Sequence, residues 1–202
     1  MSKRTDVLEL AVLGLLHDSP MHGYELRKQL TALLGWGRSL SYGSLYPCLK
    51  DLVARGLIAE SDPDASVGRS RRAKIVYELT ADGKEHFVEL ISQAGPNAWE
   101  DEPFGVRFAF FSRTDADTRM RILEGRRSRL EERLATFRAS VLKTRERLDA
   151  YTLELQRHGL ESVEREVRWL DELIDHERHA ADTPRPKTAG TTGTMELEEK
   201  PS

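Results

Sequence analysis

The chain has 202 residues, which suits one large domain or two small ones. Its 39% hydrophobic and 32% charged residues support a packed core and exclude wholesale disorder, while a single cysteine, Cys48, excludes an intrachain disulfide. The net charge of -3 places any nucleic-acid surface in a local patch, since residues 1–94 carry 12 basic against 12 acidic groups and the remainder 19 against 22.

Residues 5–17 predict an apolar helix. Its uninterrupted apolar run, 10–16, is too short for the ~20 residues that a bilayer span needs. Asp6 and Glu9 do not suit a signal peptide. A soluble, cytoplasmic protein is expected. Pro20 breaks the helix, and a second runs from His22 to Leu34 with Leu26, Leu30 and Leu33 on one face.

A third helix is predicted from Ser44 to Arg55. Leu45, Leu49, Leu52 and Val53 form its apolar stripe. Pro47 restricts it to starting close to Ser44, because proline is tolerated only in the first turn. Gly56 closes it. Residues 57–60 and 73–79 read as strands flanking a polar loop, with Ile75, Tyr77 and Leu79 on one face. Thr80 then caps a helix whose face is Phe87, Leu90, Ile91 and Ala94.

Pro96 and Pro103 bracket a boundary. Beyond them Leu130, Leu134, Phe137, Val141, Thr144, Leu148, Tyr151 and Leu155 alternate in steps of four and three. That 3.5-residue period predicts one long seam helix of roughly 39 Å, ended by Gly159. A last helix follows, with Leu160, Val163, Val167, Leu170 and Ile174 on its face. The seam needs covering, both by this last helix folding back and by a second copy of the chain. From about residue 182 the chain is polar and aperiodic and reads as a disordered tail.

Three helices followed by a hairpin with a basic tip is the order of a winged helix-turn-helix. The polar side of helix 44–55 and its approach offer Tyr42, Ser44, Tyr46 and Lys50 for phosphates and base edges. Arg69, Arg71, Arg72 and Lys74 supply a cationic wing. The expected fold is mainly α with a small β-wing. Its domains are a winged helix-turn-helix at 1–95, a helical dimerisation domain at 96–181 and a tail at 182–202.

Residues 42–47, YGSLYP, with Leu49, Leu52 and the following Gly-Leu-Ile, resemble the recognition helix of PadR-type regulators. Residues 22–26 (HGYEL), 68–72 (GRSRR) and 77–83 (YELTADG) resemble that family's second helix, wing and wing exit. Residues 104–111 and the long helix after them resemble the helical C-terminal domain of its longer branch. Cys48 departs from the pattern, which usually has a small residue there. The resemblance implies a dimeric transcription factor, usually a repressor, responsive to small molecules such as phenolic acids or drugs. Carried over residue by residue, it marks Ser44, Tyr46, Arg69, Arg71 and Arg72 as DNA contacts. Tyr42, Lys50 and Lys74 rest on their placement alone.

The dimer seam takes Leu130, Leu134, Phe137, Val141, Leu148, Tyr151, Leu155, Val163, Val167, Leu170 and Ile174. Trp99 and Phe108, at the domain junction, are candidates for a flat aromatic effector, although core packing explains them more simply. Cys48 points to the core, where a thiol is inert. His176 and His179, with Glu172 a turn earlier, have a spacing that can hold a metal. Helix ends also collect histidines for their dipole, so no metal is expected. The ten Lys/Arg of residues 119–147 read as a solvated face, with a secondary anion role as the alternative. No P-loop, nucleophile elbow, zincin or paired-cysteine motif occurs, so neither an enzyme nor a cofactor is expected. The competing function is a winged-helix adaptor that docks proteins without reading DNA sequence.

Overall fold

The computed structural model describes residues 3–34, 42–61, 75–144 and 149–182. Among them are seven α-helices, α1 (Lys3–Asp18), α2 (Gly23–Leu34), α3 (Tyr42–Ala54), α4 (Ala81–Ile91), α5 (Asp101–Ala109), α6 (Ala116–Thr144) and α7 (Ala150–Asp182). Three short strands, β1 (Met21–His22), β2 (Ile58–Ser61) and β3 (Val76–Leu79), form an antiparallel sheet in the order β1-β3-β2. The fold is mainly α with a small β element, as the sequence predicts. The Cα register pairs Met21 with Tyr77 and Glu60 with Tyr77 across the two ladders. Strand β1 escapes the sequence pattern, since two residues carry no periodicity. Pro20 disfavours helix in the residue before it, and β3 then supplies a backbone partner.

Helix α1 runs through the middle of the first core. Ala11, Val12 and Leu13 are completely buried there, which explains an apolar run that continues around the helix rather than along one stripe. Leu26, Leu30, Leu45, Leu49, Leu52, Ile58 and Phe87 pack around it. A second core gathers Phe104, Ile122, Leu123, Leu130, Leu170 and Ile174, with Val163 and Val167 partly buried against it. Helix α5 and the residue after it serve both cores: Val106 and Phe110 enter the first and Phe104 enters the second. The 95/96 boundary expected from the prolines therefore does not separate the two cores.

The single helix across 130–155 is not formed. Helix α6 ends at Thr144, α7 begins at Ala150, and Gly159 lies inside α7 rather than after a helix. Asp149 supplies the break. Its Oδ1 accepts the backbone N–H of Tyr151 and of Thr152 at 2.9 and 3.0 Å, and its Oδ2 accepts the Thr152 hydroxyl at 2.6 Å. This caps the new helix. These bonds hold the Asp149 carboxyl below its usual range. An interior glycine costs a helix only ~1 kcal/mol, so the buried face beyond Gly159 carries α7 through it.

Helices α6 and α7 form an antiparallel hairpin, the fold-back that the seam requires. Charges lace it: Arg119 makes two bonds to Glu177, at 2.9 and 2.6 Å, Arg127 meets Asp171 at 3.0 Å, and Arg178 meets Glu124 at 3.0 Å. Arg126 is buried. It pairs with Glu166 and with Asp101, donates to the Trp99 carbonyl at 2.8 Å, and lies 4.6 Å over the Phe104 ring. Much of the basic face of residues 119–147 is thus committed to α7 carboxylates. Of the expected seam, Tyr151 and Leu155 are exposed, at 89% and 71%. Only the backbone of Val141 is described, and Leu148 lies outside the described residues. Among the described residues no helix is long and apolar enough to cross a membrane.

Candidate nucleic-acid interface

Helix α3 has the two faces that the sequence predicts. Leu45, Leu49 and Leu52 are essentially fully buried, each stabilising the fold by about 1.5–3 kcal/mol. Ser44, Tyr46, Lys50 and Asp51 lie on the exposed side. The helix starts at Tyr42, two residues before the predicted Ser44, and so contains Pro47 at its sixth position. Proline has no N–H, so Gly43 loses its usual i+4 donor. That single lost bond is a smaller effect than the burial of the leucine face.

The C-terminal end of α3 is set by Gly56, whose φ of 72° lies in the left-handed region. Gly56 N–H donates to the Val53 carbonyl, and Leu57 N–H to the Leu52 carbonyl, each at 3.0 Å. This paired pattern closes a helix when glycine occupies the left-handed position. It also delivers buried Leu57 and Ile58 into the core at the start of β2. Across from it, Thr80 caps α4 as predicted. The Thr80 hydroxyl accepts from Gly83 N–H at 3.0 Å and donates toward the Gly56 carbonyl at 2.7 Å.

Tyr46 does more than face outward. It is 43% exposed, yet its ring stands over the start of α2. A Cβ at Gly23 would lie 3.6 Å from the Tyr46 hydroxyl oxygen and 3.4 Å from the Tyr77 ring. The Tyr77 hydroxyl is pushed up by burial, with the charge of Glu60 beside it acting in the same direction. Tyr46 therefore links α3 to α2 and β3. Tyr24, in the first turn of α2, is 72% exposed beside this junction and was not singled out by the sequence pattern. Tyr42 opens α3. Arg69, Arg71, Arg72 and Lys74 lie outside the described residues.

Two further sets of side chains hold α3 and α4. Glu9 of α1 is buried, and Arg55 grips both of its carboxylate oxygens, at 2.9 and 3.0 Å. His86 Nε2 stands 2.7 Å from Glu9 Oε1. Burial opposes ionisation of Glu9, but the bonds from Arg55 and His86 outweigh it and hold the carboxyl below its usual range. On α5, buried Arg107 donates to the carbonyls of Leu90 and Ile91, at 2.6 and 3.1 Å, at the C-terminal end of α4. Sequence reasoning missed both sets. The available signal was an acidic residue inside an otherwise apolar helix.

Cys48 is buried and its thiol is pushed up to about 12, mainly by burial, as expected of an inert core thiol. His176 and His179 are exposed on α7, and His179 Nδ1 lies 2.6 Å from the Asp175 carbonyl. Among the described residues no group of three or more His, Cys, Asp or Glu is placed to hold a metal.

The two effector candidates have different neighbours. The Trp99 ring packs against Gly125 of α6, its Nε1 donating to the Ala94 carbonyl at 3.1 Å. It borders a groove of about 410 Å³ that also presents Arg121, Arg129, Glu124 and Glu132. Phe108 belongs to an aromatic cluster, with ring centroids 5.8 Å from Phe104, 5.0 Å from Phe111 and 5.2 Å from Trp169.

Residues 12–89 match the model of the transcriptional regulator PadR-like family. The chain is 24% identical over 178 residues to the negative transcriptional regulator PadR of Bacillus subtilis (strain 168), covering 83% of this chain and 96% of that protein. Among solved structures it is similar to Bacillus subtilis PadR in complex with operator DNA, at 22% identity, with 85% of this chain and 99% of that chain covered and a TM-score of 0.40. It is also similar to Bacillus subtilis PadR in complex with p-coumaric acid, at 23% identity, 85% and 99% coverage and a TM-score of 0.38.

Proposed function

We propose that this chain, whose residues 12–89 match the PadR-like family of transcriptional regulators, acts as a homodimeric repressor that binds a palindromic operator and is released by a small aromatic effector. The observation that carries this reading is the two-faced α3, with its leucine stripe buried in the core and Ser44, Tyr46 and Lys50 on the opposite side. Residues 1–95 read DNA and residues 96–181 pair the subunits. Tyr42, Ser44, Tyr46 and Lys50 meet the major groove. The wing residues Arg69, Arg71, Arg72 and Lys74 meet phosphates or the minor groove.

Two recognition helices related by a dyad read half-sites about one DNA turn apart, ~34 Å. Exposed Tyr151 and Leu155, left uncovered by the α6–α7 hairpin, support the pairing of two copies. The effector binds the DNA-incompetent dimer better, with a coupling of ~1–3 kcal/mol. Trp99 and Phe108 are the candidate aromatic contacts.

Fluorescence anisotropy tests this reading, with duplex from upstream of the chain's own gene titrated against a scrambled duplex at several salt concentrations. Preference for the native duplex with a steep salt slope is expected, since phosphate contacts release counterions. Reversing the wing charge (Arg71→Glu with Arg72→Glu) should abolish binding and leave the dimer intact. Equal, weak binding to both duplexes would favour the protein-docking adaptor.

A further inference from the structure

Glu9 is a buried carboxylate that a leucine core does not require. Three elements converge on it: α1 supplies Glu9, the residue after α3 supplies Arg55, and α4 supplies His86. Arg55 makes a two-point contact, Nη1 to Oε2 and Nη2 to Oε1. Its Nη1 also lies 3.2 Å from Asp51, and His86 Nδ1 lies 3.6 Å from Glu89. Apolar burial is non-directional. A planar fork on a carboxylate fixes orientation as well as distance.

An apolar trio of similar volume is often as stable as a buried ion cluster, or more so. Stability alone therefore does not account for this one. Its geometry acts on the end of α3. The same α4 that carries His86 in its middle is held at its C-terminal end by Arg107 of α5. The end of the recognition helix is thus referenced to α1 and, through α4, to the helical half of the chain.

We infer that Arg55 is a positioning residue for DNA recognition: Glu9 and His86 hold it so that the C-terminal end of α3 is fixed against α1 and α4, which sets the angle at which α3 enters the groove. This rests on α3 being the recognition helix. Arg55 acts through helix orientation and need not touch DNA. Loss of the cluster should therefore blunt discrimination between sequences more than it weakens the salt-dependent phosphate contacts.

The test begins with the wild-type protein selecting duplexes from a randomised pool. Affinity is then measured for the selected duplex and for the same duplex with one base pair changed in each half-site. In the triple variant Glu9→Leu, Arg55→Met, His86→Leu, the melting temperature should stay close to that of the wild type. The discrimination ratio should fall about tenfold, out of the ~25–20,000-fold that two base pairs, one in each half-site, typically supply, with the salt slope unchanged. A folded triple variant with wild-type discrimination overturns the inference. If that variant does not fold, Arg55→Lys decides. It keeps the charge but loses the fork, and discrimination should fall about threefold, a single-point contact being the weaker constraint. Unchanged discrimination in Arg55→Lys likewise overturns it. If the wild-type protein enriches no sequence, the DNA-reading conclusion itself fails, a result distinct from either of these.

Discussion

Gly14→Ala probes the joint between the two halves. Phe110, the residue after α5, inserts its ring against Gly14 in the C-terminal half of α1. A Cβ there would stand 2.5 and 2.7 Å from two ring carbons and nearer still to a third. Carbon atoms make good contact at ~3.5–4.0 Å, so the ring must retreat by about an ångström. It has nowhere to go: Phe110 is buried and meets Phe87 edge-on at 5.8 Å. Overpacking of this kind costs ~1–3 kcal/mol. Alanine is the better helix former by up to ~1 kcal/mol, which leaves a net loss of about 1–2 kcal/mol. For a chain of this size that lowers the melting temperature by about 2–8 °C. Thermal unfolding followed by circular dichroism measures it. Phe110→Leu alone should also destabilise, but in the double variant the smaller side chain makes room for the methyl. The two effects should then fall short of their sum by at least ~0.5 kcal/mol. A higher melting temperature for Gly14→Ala, or strict additivity, would refute the argument.

Three other outcomes follow from the same packing and charge arguments. Gly56→Ala forces an L side chain into the left-handed region at φ 72°, so urea unfolding should show a loss of about 1–2 kcal/mol. Cys48, with its thiol pushed up to about 12 by burial, should resist an aromatic disulfide reagent at pH 8 until urea unfolds the chain; rapid native-state labelling would contradict its burial. The Glu9 carboxyl is held below the usual 4.5 in the folded chain. Its contribution to stability is therefore complete above that value and is lost as pH falls through the depressed folded one. Acid unfolding of Glu9→Gln should lack this part of the acid limb, and an acid limb identical to that of the wild type would show that Glu9 is not held in the charged form.

Much of the candidate interface was legible in the residues because its signals are local. The leucine spacing of α3, the left-handed closure at Gly56, the Thr80 cap and the inward Cys48 each depend on neighbours within a turn or two, and backbone sterics and helical period decide them. A 3.5-residue alternation is local too. It says which side chains share a stripe, not whether the chain stays straight, so the seam read as one rod while the cap at Asp149 divided it into α6 and α7. Tertiary structure alone decided β1, which exists because β3 lies beside it, and the division of the phenylalanines of α5 and the residues after it between two cores. It also decided the cluster at Glu9, whose partners lie 46 and 77 residues away in the chain. A carboxylate in an apolar helix signals that some cation must reach it. Which one does so depends on packing between helices, which no sequence period encodes.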